Sequence, residues 1–201
     1  MKKIDPISTL LLMMLFILAC DAKGQVDQRW LRSWNEAQEL KPSHITSLGT
    51  IAPENEPGTP LVIKGCVHTP DETPAIGVVV HSYHRDALGY DFGENDAVFT
   101  TWRLQGWAKT DKNGHFEFKT IRPAPDYIGR EGAHIHFTTL SDRFGKQWAP
   151  KVFFSDDTTL TKKQRLASKK AGKFGWISDV KEIKGVQYIE VHIKLKEKSD
   201  F

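Results

Sequence analysis

The sequence predicts an all-β protein, an antiparallel β-sandwich of about seven or eight strands with long loops and one short helix near the C-terminus. From Leu61 onward the chain runs in short β-rich stretches: LVIKGCV, IGVVVHSYH, TTWRLQGWAKT, HFEFKTI, AHIHFTTL, APKVFF and YIEVHIKL. Gly, Pro, Asn and Asp bound these runs, and those residues favour tight chain reversals. With 201 residues, 39% of them hydrophobic, the chain can bury one substantial core but not two comfortable ones.

The turn DKNG, residues 111–114, predicts a hairpin, because Asn and Gly tolerate the left-handed backbone of tight strand connections; its flanking strands should pair. Between the last two strands, DDTTLTKKQRLASKKAGKFG predicts a helix capped at Asp157 or Thr158 and ended by Gly172. Its lysines read as a solvated face, with attraction to an anionic membrane surface as the minor alternative. Residues 21–58 contain helix-permissive pieces such as QRWLRSWNEAQEL and show no alternation. The expected organisation is a leader at 1–20, a tether and lead-in segment at 21–58 and one β domain at 59–201.

The N-terminus begins MKKIDPISTLLLMMLFILACDAKG. Its apolar block is about half as long as a membrane-spanning helix requires, so it reads as a signal-peptide core. The small residue before Cys20 resembles the lipobox of bacterial lipoproteins, which implies an acylated Cys20 and a place at the bacterial cell envelope, with membrane contact through the lipid only. A plain secretory signal is the alternative. Cys66 would then be alone, unable to form an internal disulfide, and its apolar run LVIKGCV reads it as a small buried hydrophobe. A formal charge of +3 gives no broad field for a polyanion, so nucleic acid is not an expected partner.

His134 and His136 flank Ile135 in EGAHIHFTTL. Side chains alternate along a strand, so the two imidazoles share a face, about 7 Å apart at the backbone, and can converge on one ion. An exposed polar face of an edge strand is the competing reading. The tyrosines favour the ion. Of four, Tyr90 in RDALGYDFG and Tyr127 in RPAPDYIGREG occupy turn-rich loops, whereas Tyr83 and Tyr188 fall in sheet-like runs. A trivalent cation favours phenolate, a hard anionic oxygen donor.

Together with PGTPLVIKGCV, YHRDALGY and RLQGWAKTDKNGHFEFKTIRP, these residues resemble the intradiol ring-cleavage dioxygenases over Pro57 to Phe154. The resemblance implies non-haem Fe(III) held by Tyr90, Tyr127, His134 and His136, with Tyr127 leaving the metal when a catecholate binds. It also implies an oxidoreductase that cleaves a catechol-type ring with both atoms of O2, giving a muconate-type diacid. The partners are then a small aromatic diol and O2.

Three positions depart from the family pattern. Gly89 and Tyr90 are adjacent where the family keeps one residue between them, so Asp91 is an alternative ligand. Glu131 stands where a pocket arginine is expected, leaving its neighbour Arg130 as the candidate for steadying the ketonised substrate. Lys151 replaces a glutamine, which alters the surroundings of the metal. His81 and His84 have a spacing that puts them on opposite strand faces; His44, His68, His115 and His192 have no evident partner; Trp102 and Trp107 read as packing. The reading from a different class is a non-catalytic transthyretin-like or carboxypeptidase-regulatory-like binding module at the envelope, which would have no need of the Tyr, Tyr and His-x-His set.

Overall fold

The computed structural model describes residues 26–93 and 100–201. By its contacts the chain divides into two units, Met1–Leu31 and Arg32–Phe201. The described part of the first is the start of helix α1 (Gln28–Glu39), where Asp27 Oδ1 accepts the backbone N–H of Arg29 at 2.8 Å and so caps the first turn. Cys20 and the apolar block before it lie outside the described residues.

In the second unit two sheets supply nearly all the structure. A five-stranded sheet runs in the order β1 (Leu48–Thr50), β5 (His115–Ile121), β2 (Pro60–His68), β11 (Val186–Lys194), β10 (Lys181–Ile183). A six-stranded sheet runs β4 (Leu104–Lys109), β3 (Val79–His84), β6 (His134–Ser141), β8 (Val152–Phe154), β9 (Ile177–Ser178), with β7 (Gly145–Trp148) also paired to β6. Alternation sends Leu61, Ile63 and Val67 of β2 and Ile189, Val191 and Ile193 of β11 to the same side as Val80, Ile135 and Phe137, in one apolar cluster. Phe116 of one sheet meets Phe137 of the other, ring centroids 6.3 Å apart. His84 reaches from β3 into this interior, its Nε2 2.6 Å from Thr120 Oγ1.

The structure corrects several sequence expectations. The sheets are mixed, with parallel pairs β1–β5, β2–β11 and β8–β9, where an antiparallel arrangement was expected. Strands so far apart in sequence as β2 and β11 need no hairpin between them, and alternation alone does not encode direction. The added strands β1, β7, β9 and β10 have 3, 4, 2 and 3 residues, too few to display a period. Among the described residues there are two α-helices, not one, because α1 forms in the stretch expected as a tether; Trp34 and Ala37 are its buried residues, and Trp34 Nε1 donates to Thr138 Oγ1 at 3.2 Å.

The DKNG turn is tight, with Asp111 Oδ1 accepting from the backbone of Asn113 and His115, both at 2.8 Å. Its flanking strands do not pair, however: β4 pairs with β3 and β5 with β2, so the chain changes sheets at this turn. Helix α2 (Lys162–Lys170) is capped by Thr161, not Asp157 or Thr158, since Gln164 reaches back to close a capping box. Asp157 instead accepts from the backbone of Thr159 at 2.8 Å. Gly172, at φ 60°, opens a 3-10 turn, Gly172–Phe174.

Candidate metal centre

On β6 the core takes Ile135 and Phe137, which leaves His134, His136 and Thr138 on the opposite face of the six-stranded sheet. Chain geometry and a hydrogen bond then orient the two rings. His134 Nδ1–H donates to Gly132 O at 2.7 Å, so Nε2 carries the lone pair, and this nitrogen stands 3.0 Å from His136 Nε2. Burial pushes the His134 imidazole below its ordinary value, and burial together with the neighbouring His134 pushes His136 well below it. Both rings are thus neutral nitrogen donors.

Aromatic rings seal this face. Tyr83 stacks on His136 at 4.7 Å and on Trp102 at 3.7 Å, while Trp107 stacks on His81 at 5.0 Å. His81 also lies 3.0 Å from Gln105 Oε1 through Nε2, and burial pushes it down to about 4. Trp102 and Trp107 are packing residues in this layer.

Two loops flank the histidines. The first is shaped by Asp86, whose Oδ1 accepts the backbone N–H of Leu88 at 2.9 Å and of Tyr90 at 3.0 Å. Arg103 grips Glu56 through both terminal nitrogens, at 2.9 and 2.6 Å, and reaches Asp86 at 3.1 Å, fixing that turn from outside. The second loop is closed by Asp126, which accepts from the Arg130 backbone at 2.6 Å. The two loops touch: the backbone N–H of Ala124 donates to Asp86 O at 3.0 Å, and the rings of Tyr90 and Tyr127 stack 5.2 Å apart. Tyr127 is 66% exposed and Tyr90 half-buried.

Asp91, Glu131 and Lys151, the positions already noted as departures, carry charge near the pair, and Arg85 joins them. Asp91 Oδ2 pairs with Arg85 Nε at 3.2 Å, and burial raises its carboxyl despite that partner. Glu131 Oε1 pairs with Lys151 Nζ at 2.7 Å, and its other oxygen is 3.7 Å from His134 Nε2. Burial pushes the Glu131 carboxyl up, but Lys151 and His134 carry it below its usual range. The departures at positions 131 and 151 therefore compensate each other as an ion pair beside His134. The Arg130 side chain is 79% exposed and lies 3.9 Å from Asp126. Arg85 could not be singled out from sequence, because nothing in RDALGYDFG shows which charge folds back on Asp91.

A second group of ligating side chains was missed. Cys66, His68 and His192 place one ligand atom each within 4.8 Å of one another, and His68 Nε2 lies 3.0 Å from His192 Nδ1. The expectation that these histidines lack a partner is corrected. The i, i+2 spacing of Cys66 and His68 was visible, but the third member arrives through the β2–β11 pairing.

The profile of the family described as Dioxygenase matches residues 38–187. This chain belongs to the intradiol ring-cleavage dioxygenase family. Catechol 1,2-dioxygenase 1 of Acinetobacter lwoffii is 33% identical to this chain over 109 residues, which cover 46% of this chain and 35% of that protein. The chain thus matches about a third of the length of that curated relative. Its fold is similar to that of 3-chlorocatechol 1,2-dioxygenase from Rhodococcus opacus, with a TM-score of 0.56 and 16% identity over 94% of this chain and 96% of the other. It is also similar to the dioxygenase domain of a dioxygenase carbohydrate-binding protein fusion from Streptomyces sp. SirexAA-E, with a TM-score of 0.55 and 20% identity over 73% and 86% of the two chains.

These relatives correct the expected placement at the cell envelope. The proteins that this dioxygenase-family chain resembles are catechol and chlorocatechol dioxygenases, not envelope lipoproteins, and a localisation argued from the leader alone does not stand against that likeness. No helix among the described residues is long and apolar enough to cross a membrane.

Proposed function

We propose that the chain is a non-haem Fe(III) intradiol dioxygenase that cleaves a catechol-type ring with O2 to a muconate-type diacid. The reading rests above all on two neutral imidazole nitrogens facing one another at 3.0 Å. His134 Nε2 presents a lone pair across that gap, and either a proton or a cation between the rings accounts for the close approach. Tyr90 and Tyr127, stacked on each other in the two loops, offer phenol oxygens, and two nitrogens with hard anionic oxygens are a set that fits a ferric ion. His134, His136, Tyr90 and Tyr127 would hold it. Ferric iron there would supply Lewis acidity toward a chelating catecholate and a template for O2.

The chain's own residues do the rest. Gly132 O keeps the His134 proton on Nδ1 and so keeps Nε2 aimed inward. Tyr83, stacked on His136, fixes that ring and excludes water from its side of the site. Tyr127, the more exposed of the two phenols, would be the one to yield to an incoming diol and to take up one of its protons at Oη. The Glu131–Lys151 pair holds a carboxylate beside His134 and balances its charge. Arg130 steadies the ketonised ring only if its side chain turns inward from its present exposed position.

Iron loading tests this reading. Protein loaded with Fe(III) is expected to be red-brown through phenolate-to-iron charge transfer, to lose or shift that band in Tyr127→Phe, and to consume O2 with catechol. His136→Ala should weaken iron binding by at least about tenfold while His81→Ala leaves it intact. Comparing Tyr90→Phe with Asp91→Asn separates the two candidate ligands of the first loop. Iron-loaded protein without colour, or with colour indifferent to both tyrosines, would defeat the proposal.

A further inference from the structure

Cys66, His68 and His192 lie on the five-stranded sheet, remote in topology from the histidine pair of β6. Cys66 and His68 alternate with Val67, which is in the core, so both project from the opposite face of β2. His192 is the register partner of Cys66 on β11 and alternates with Val191 and Ile193 in the same way. All three line a groove of about 1590 Å³ on this face, bounded on one side by the 3-10 turn, where Phe174 meets the His68 ring edge-on at 5.3 Å. On most of this sheet face β2 is solvated, as at exposed Lys64, yet Cys66 and His68 are buried.

The outer nitrogens of both rings already have acceptors. Glu72 O lies 3.3 Å from His68 Nδ1, and a carbonyl only accepts, so the proton is on Nδ1. Glu190 Oε1 lies 3.3 Å from His192 Nε2, the outer nitrogen of the other ring. His68 is thereby left with a lone pair on its inner nitrogen, Nε2, which faces His192 Nδ1 at 3.0 Å. This is the arrangement in which an imidazole is oriented for a metal by a carbonyl or carboxylate behind it. Two nitrogens bound to one tetrahedral zinc ion stand about 3.3 Å apart, and the third ligand atom is within reach, all three lying within 4.8 Å of one another.

We propose that Cys66, His68 and His192 form a second metal site that takes zinc(II), with its fourth position open to the groove. A thiolate and two imidazoles suit a borderline-soft divalent cation and disfavour magnesium or calcium, which select oxygen. The Cys66 thiol releases its proton to solvent when zinc binds; in the metal-free chain it points at the carbonyl oxygens of Val67 and Asn113, 3.8 and 3.7 Å away. The site joins β2 to β11 and is independent of the ring-cleavage reading, since it shares no residue with the β6 site. A single proton held between the two rings is the other arrangement that this distance allows, and it gives Cys66 no part.

The full chain, stripped with a chelator, is titrated with zinc(II) alone and then with cobalt(II) alone. Zinc affinity at this site is expected to be unchanged in His134→Ala and lowered at least about tenfold in Cys66→Ser and in His192→Ala. Cobalt should give a thiolate charge-transfer band that Cys66→Ser removes. His192 is half-exposed, with 26% of its side chain accessible, so its replacement keeps the core intact. In the wild-type chain, zinc should slow alkylation of Cys66, located by peptide mass spectrometry, at least about tenfold. No stoichiometric zinc, zinc affinity indifferent to His192→Ala, equal loss in His134→Ala, or a Cys66 that zinc does not protect would each overturn the assignment.

Discussion

Gly89 has φ 92°, and a Cβ added there would stand 2.8 Å from the backbone nitrogen of Tyr127. No L side chain fits that combination, so this one residue sets how closely the Tyr90 loop approaches the Tyr127 loop. Gly89→Ala is expected to cost about 1–3 kcal/mol in urea unfolding and to separate the stacked phenols, weakening any Fe(III) colour at the same time. The same contact gives the Gly89-Tyr90 adjacency a physical meaning: the glycine is the point at which the shortened loop abuts its neighbour. At this scale the histidine pair was legible because a strand's period fixes the face of residues two apart. Cys66, His68 and His192 were not, because the residue that completes the set is adjacent only through pairing of distant strands.

Among elements, helix α2 owes its start to a single side-chain exchange. Thr161 Oγ1 accepts from the Gln164 backbone at 3.2 Å and Gln164 Oε1 accepts from the Thr161 backbone at 2.9 Å. Thr161→Ala should cost about 1 kcal/mol, read as a lower urea midpoint with an unchanged slope. Ser168 carries the helix's only contribution to the buried set and accepts from the Ile177 backbone at 2.9 Å, which ties α2 to β9. The six strands of six residues or more were readable from alternation, and β8 from its apolar run VFF. The DKNG turn was readable as a turn but not as a sheet change: local chemistry fixes the reversal at Asp111, while the core decides that Phe116 and Phe118 serve the other sheet. Helix α1 was missed as a packing element because its burial is carried by Trp34 and Ala37 alone.

For the whole molecule, buried imidazoles make stability depend on acid. Burial pushes His84 down to about 4 from an ordinary 6.5, and its ring lies between the sheets against Thr120. The unfolded chain takes up this proton as pH falls below 6.5, whereas the folded chain refuses it until about 4. Stability is therefore complete above the unfolded value and is lost as pH falls through this window, on the order of 3 kcal/mol for such a ring. His81 has the same direction and adds to it. Thermal unfolding followed from neutral pH down to about pH 4 should show a falling midpoint, and His84→Gln should flatten the slope whatever it does to the absolute midpoint. An unchanged slope would mean that the ring is not neutral in the fold.

The pairing of β2 with β11 has one more consequence, for biosynthesis. Leu61 cannot find its neighbour until Gln187 has been made, so a strand at the middle of its sheet spends most of translation with one flank bare. A nascent polypeptide in that condition exposes Leu61, Ile63 and Val67 beside an unpaired ladder, a template for self-association until ribosomal release.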